Sequence, residues 1–177
     1  MKSLRLPILA LLMAAFLGSC YDWNEPTGPI TGMKPVYIPK AQAFDIYSES
    51  PRTLDDPGKI YIYGNYVFIV EKSQGVHIID NSDRTNPVKL SFIHVPGIND
   101  VAVKGQSLYV DNVTDLVTLD ISDINEVSVS KRIKDVYPID QMFYPANYQG
   151  YFECVDTSLG YVVGWIETEL DNPKCFR

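Results

Sequence analysis

The chain of 177 residues reads as all-β, built on four-stranded blades of the propeller type. Three observations lead there. No 3.6-residue apolar period runs through it after the first twenty residues. β-branched and aromatic residues cluster in short runs broken by glycine turns. Those runs then repeat: "IYIYGNYVFIVEKSQGVHIIDNSD" from Ile60 returns as "VAVKGQSLYVDNVTDLVTLDISD" from Val101.

Taken in order, the N-terminus comes first. "MKSLRLPILALLMAAFLGSC" has Lys2 and Arg5, an apolar stretch from Leu6 to Leu17, and then Gly18 and Ser19. That is the layout of a secretory leader over residues 1–19, with an apolar core too short to span a bilayer as a mature helix. Its end, "LGSC", resembles the bacterial lipobox, which implies acylation at Cys20 and attachment to a membrane through lipid. Several acyl chains, at about 0.8 kcal/mol per buried methylene, hold a protein on a membrane far better than one. Tyr21 after the cysteine is similar to the pattern that sorts lipoproteins to the outer membrane. Asp22 and Glu25 resemble the acidic start of Bacteroidetes-type lipoproteins, which implies a periplasmic or cell-surface position.

The composition is acidic, with 15 Lys and Arg against 22 Asp and Glu. Loss of Lys2 and Arg5 with the leader moves the balance from −7 to about −9. Such a body argues against nucleic acid or a broad anionic lipid surface as partner. Residues 20–57 read as a lipid-anchored tether and an irregular lead-in, because six of the 12 prolines fall between positions 21 and 58. "MKPVYI" near Met33 offers a first strand there.

A β-repeat domain is expected over 58–177, with repeats at about 58–97 and 98–138 and a non-repeating part at 139–177. In the repeats Gly64 aligns with Gly105, Phe68 with Tyr109 and Ile69 with Val110, at an offset of 41. One residue is then lost. Ile79 aligns with Leu119, Asp80 with Asp120, Ser82 with Ser122 and Asp83 with Asp123, at an offset of 40. A period near 40 fits one four-stranded blade. Gly64-Asn65 between apolar runs is a tight hairpin signal. Consecutive apolar positions in the first strands suit a sheet covered on both faces. "VKLSFIHV" and "VSVSKRI" supply the last strands.

The apolar run, the Asp and the Ser-Asp-Pro-like turn of "HIIDNSDRTNP" resemble the LVIVD-repeat family, secreted bacterial repeats with a propeller-type fold. "TLDISDINEV" follows the same pattern with Val127 in place of the proline. The tail "YFECVDTSLGYVVGWIETELDNPKCFR" is similar to the C-terminus of short repeat lipoproteins from gut Bacteroidetes. The resemblance implies a fold and names no activity. Two blades cannot close a ring. The expectation is therefore an incomplete or compact propeller, whose core is completed by strands near Val36, Tyr151–Val155 and Tyr161–Ile166. Failing that, the chain must oligomerise.

The recurring Asp-x-Ser-Asp turns read as architecture: short oxygen side chains fold onto nearby amides. They lack the D-x-D-x-D-G order and the oxygen count of a calcium loop, and no metal site is expected. His77 and His94 stand without ligand spacing or a nucleophile–base arrangement. No catalytic set and no cofactor motif is found, and a non-enzymatic protein is expected. In a secreted context Cys154 and Cys175 read as a disulfide. Glu167 and Glu169 beside Trp165 read as a solvated strand face.

Function is expected in "VYPIDQMFYPANYQGYF". Its rings either pack where blades are missing or offer a ligand or partner surface of Tyr137, Asp140, Gln141, Tyr144, Tyr148 and Tyr151. Three readings stay open. They are a membrane-tethered binding module for an envelope protein or polymer, a carbohydrate-binding or weakly carbohydrate-active lipoprotein, and a purely structural envelope component.

Overall fold

The computed structural model describes residues 28–177. The leader and Cys20 lie outside the described residues. The described chain is all-β apart from a short 3-10 turn at Ile139–Phe143. Strands β1 (Pro29–Ile38) and β2 (Tyr47–Glu49) lead. Repeat one holds β3 (Pro57–Tyr63), β4 (Tyr66–Glu71), β5 (Gly75–Asp80) and β6 (Val88–His94). Repeat two holds β7 (Val101–Lys104), β8 (Ser107–Asn112), β9 (Asp115–Asp120) and β10 (Ser128–Ile133). Then come β11 (Tyr151–Phe152), β12 (Tyr161–Asp171) and β13 (Cys175–Phe176).

Each repeat is one antiparallel sheet with its strands in chain order, and β2 adds to the outer edge of β6. The hairpin geometry explains the glycine signal. Gly64 has φ +60 and Gly105 has φ +61, each at the first of two turn residues, while Asn65 and Gln106 stay at negative φ. One positive φ at that position is the type II′ pattern, which glycine adopts without the clash other residues meet. A Cβ at either glycine would find open space, so the requirement is set by the backbone alone.

The acidic turns are closed by their own side chains. The amide and hydroxyl of Ser82 donate to Asp80 at 2.8 and 2.5 Å, and those of Thr85 donate to Asp83 at 2.9 and 2.6 Å. In repeat two the amides of Ser122 and Asn125 donate to Asp120 and Asp123. These bonds hold the Asp80 carboxyl below the usual carboxylate range, the Ser82 hydroxyl contributing most.

The register shows how the repeats stack. Tyr61, Phe68, Ile78 and Ser91 stand opposite one another across repeat one, on one face; Val70, Val76 and Ile93 share it. Repeat two presents Val101, Val110 and Val117, with Val103, Leu108 and Leu119 beside them. These two faces form one continuous buried core. At about 1.5–3 kcal/mol per fully buried aliphatic or aromatic side chain, this interface dominates the stability of the repeats. The Tyr61 hydroxyl donates to the Val103 carbonyl at 3.4 Å, and the Tyr63 hydroxyl accepts from the Gly105 amide at 3.0 Å.

The opposite face of repeat one carries Ile60, Ile62, Val67, Ile69, His77 and Ile79. The segment before β3 covers one end of it. Arg52 lies 4.0 Å over the Phe92 ring, and the buried Glu71 carboxylate accepts the amides of Asp55 and Asp56. Glu71 also faces His77 Nε2 at 3.0 Å, with both side chains 1% exposed. Repeat two has a comparable polar clamp. Buried Asn112 donates to the carbonyls of Ala43 and Pro96, and Arg132 donates to Asn112 and to Asp115 at 2.7 and 3.0 Å.

Two expectations change. The lead-in through residue 57 is irregular only in part: the strand expected near Met33 is present and longer, as β1, β2 follows it, and residues 39–46 and 50–56 lie outside the strands. Proline density hid the length of β1. Pro29 opens its strand and Pro35 sits beside the register shift at Val36/Tyr37, places where a sheet tolerates a missing donor. Nor do the terminal strands extend the blades. β12, β1, β11 and β13 form a third sheet in that order, pairing the first strand with the last ones. β1 and β12 run antiparallel over ten paired positions from Pro29–Asp171 to Ile38–Tyr161. This sheet has its own apolar cluster, with the Phe152 ring edge-on to Trp165 and Tyr144 at 5.7 and 5.9 Å. A Cys154–Cys175 disulfide ties the stretch after β11 to β13.

Candidate binding cleft

Where the third sheet meets the loop ends of the two repeats, a cleft of about 620 Å³ opens. The turns that build its first wall are set by an unusual backbone. Ser73, between β4 and β5, has φ +62, and Val113, between β8 and β9, has φ +57. A β-branched residue in that region is a genuine outlier. The two residues are 40 apart and stand in the same turn of each repeat. The Ser73 amide donates to the Ile98 carbonyl and its own carbonyl accepts the Gly97 amide, both at 2.9 Å. These bonds fix the turn against the loop between the repeats. Lys72, Gln74, Gly97, Asn99 and Asp56 join this wall.

Val36 and residues 162–166 supply the second wall, with Met142, Tyr144 and Ala146. The Ser73 hydroxyl donates to the Val163 carbonyl, so the walls are joined at one point. Lys72 reaches the Asp56 carboxylate at 2.7 Å, with both side chains more than half exposed. The site therefore sets two rings, Tyr144 and Trp165, across an open space from an ion pair and a side-chain amide. Such a surface can stack on flat apolar groups and hydrogen-bond their polar edges.

The structure separates the residues expected to share one surface. Tyr144 lines the cleft, 49% exposed. Tyr148 turns away and donates to the Tyr151 carbonyl at 3.1 Å. Tyr151 packs edge-on to Phe176 at 4.9 Å. The Tyr137 amide is tied to the Thr114 carbonyl, and burial raises its phenol above the ordinary value. Asp140 and Gln141 sit in the 3-10 turn, and their side chains lie outside the described residues. Neither His lines the cleft: His94 stacks on Tyr47 at 4.7 Å and His77 is buried with Glu71. Glu167 and Glu169 are exposed on β12.

Sequence reading missed Lys72, Ser73, Asn99 and Val113. The one signal that could have found the turns is the loss of a residue between the repeats, which falls where Ser73 and Val113 stand.

The family model of the LVIVD repeat matches residues 56–93 and 98–133. The chain carries two LVIVD repeats. The first LVIVD match starts at Asp56, whose amide is clamped by Glu71, and the second ends at Ile133, the last residue of β10. Each LVIVD unit is thus one four-stranded blade with its lead-in, and the fold is propeller-like without a closed ring. No curated protein and no solved structure matches the chain.

Proposed function

We infer that the chain is a membrane-tethered extracytoplasmic module of the cell envelope, anchored through Cys20, that binds a partner or polymer without catalysis. The cleft carries this reading, through the two rings of Tyr144 and Trp165 set across from Lys72, Asp56 and Asn99. The leader and the "LGSC" stretch support the anchor and an outer-membrane position. The rigid two-blade body supports a role as scaffold for the cleft loops.

Capture experiments test the binding part. The Tyr144→Ala/Lys72→Ala double variant should lose at least ~10-fold in capture of an envelope partner while keeping its melting temperature. Undiminished capture by a folded variant would remove the cleft from the account. For the anchor, Cys20→Ser should abolish labelling by a palmitate analogue and release the chain from the membrane fraction.

One observation favours a second, carbohydrate-directed reading. Two rings on one wall face an amide and an ammonium group on the other, an arrangement suited to a sugar's apolar face and its hydroxyls. Binding on a glycan array that disappears with Tyr144→Ala would select it; an array without binding would dismiss it.

A further inference from the structure

The two repeats present equivalent faces with opposite fates. Ile60, Ile62, Val67, Ile69 and Ile79 of repeat one correspond to Val101, Val103, Leu108, Val110 and Leu119 of repeat two, at offsets of 41 and then 40. In repeat two these positions are covered by repeat one, and Val103 is 5% exposed. In repeat one, Ile60 is 58% and Ile62 is 68% exposed, with Val67, Ile69 and Ile79 half-buried beside them. Among the described residues β3 stands at the edge of its sheet with no strand beyond it. Scattered exposed aliphatics are ordinary, but a contiguous patch on a sheet edge is an association surface.

What covers it follows from the charges. All five side chains are aliphatic, so the counterpart must be apolar. The far face of repeat two cannot serve, because Lys104, Asp120 and Lys131 stand on it among Tyr109 and Thr118; head-to-tail stacking would bury those charges. Of the described faces of the two repeats, the apolar one left uncovered is this same face, on another copy. Its rim carries both signs, Arg52 and Lys89 beside Glu49 and Asp55, so a half-turn sets unlike charges within reach of one another.

We propose that the outer face of repeat one, centred on Ile60 and Ile62, is a self-association surface that a second copy of this chain covers with the same face about a two-fold axis. A two-fold contact uses one patch twice and closes, so it yields dimers and no fibres. The proposal is independent of the cleft.

Sedimentation equilibrium of the full chain tests it. The wild type should be dimeric by ~100 µM. Ile62→Lys and Ile62→Asp should each weaken association at least ~100-fold, since each places a charge against its own copy. Circular dichroism at low concentration should show both variants folded, because Ile62 is exposed in the single chain. Mixing the two should restore the dimer, as Lys meets Asp across the axis. A wild type that stays monomeric would overturn the proposal and assign the face to a partner of other sequence. Association that persists in both single variants would overturn it too, placing the contact elsewhere, the N-terminal apolar stretch included. A mixture that stays monomeric would overturn the two-fold arrangement.

Discussion

Repeat one and repeat two share strand order, hairpin glycines and acidic turns, yet the same side chains lead different lives in each. Leu108 is fully buried; its counterpart Val67 is half-buried and next to solvent. Asn112 and Val117 stand in repeat two where repeat one has the buried pair Glu71 and His77. A blade is therefore not a self-sufficient unit. Its strand pattern supplies two apolar faces, and which of them becomes core depends on the neighbour. Stacked repeats show this generally, since one unit cannot bury both faces alone.

The comparison can be broken most strongly by truncating equivalent positions. Leu108→Ala should cost about 3–4 kcal/mol of unfolding free energy, because a buried leucine leaves a cavity between the blades. Val67→Ala should cost under about 1 kcal/mol when measured in the monomeric range. Urea unfolding of both variants checks this, and equal costs would mean that the two faces are equally covered.

A smaller effect is expected at the clamps. Asp115 is 3% exposed and holds Arg132, the Thr114 hydroxyl and the Asp135 amide. Asp115→Ala should therefore cost about 2–3 kcal/mol, since it removes the carboxylate paired with Arg132 and leaves two further donors without that acceptor. Thermal unfolding would show the loss; a shift within error would mean that water replaces the carboxylate freely.

Acid should then separate the repeats. Burial pushes His77 below its ordinary 6.5, against the upward pull of Glu71. Burial alone would raise Glu71, but the amides of Asp56 and Asp55, with His77, hold it below its ordinary 4.5. Both groups bind fewer protons folded than unfolded. Stability should therefore fall as pH drops below about 6.5, and fall further below about 4.5. His77→Val, which copies repeat two, should flatten the upper part of that fall. An unchanged slope between pH 6.5 and 5 in the variant would place the sensitivity elsewhere.

The smallest difference between the repeats is expected at the hairpin glycines. Gly64→Ala and Gly105→Ala each force a side chain into a positive φ and should cost about 1 kcal/mol apiece. Similar shifts in melting temperature would confirm that the turns, unlike the faces, are equivalent.

The repeats were legible because their marks are local. Gly64 and Gly105 are demanded by a two-residue turn, and Asp80 and Asp120 by bonds two residues away. Sequence spacing records such demands directly. The third sheet was legible only as stray strands, because β1 pairs with β12 about 130 residues later. Nothing near Pro35 announces a partner at Trp165. Of the residues expected to form a surface, Tyr144 lines the cleft, and the side chains of Asp140 and Gln141 lie outside the described residues. Tyr144 was named from its aromatic surroundings, whereas Tyr148 and Tyr151 in the same stretch pack internally. Lys72 and Asn99 are ordinary loop residues until folding sets them opposite Trp165. The exposed face of repeat one was invisible for another reason: "KIYIYGNYVFIV" has the composition of a buried strand whether or not a neighbour covers it.

Methyl NMR with a soluble paramagnetic agent tests the contrast most directly. In dilute chain the agent should broaden the methyl groups of Ile60 and Ile62 and leave those of Val101 and Val103 sharp. At high concentration Ile60 and Ile62 should become protected as well. Protection of Ile60 and Ile62 at every concentration, or broadening at every concentration, would contradict the account.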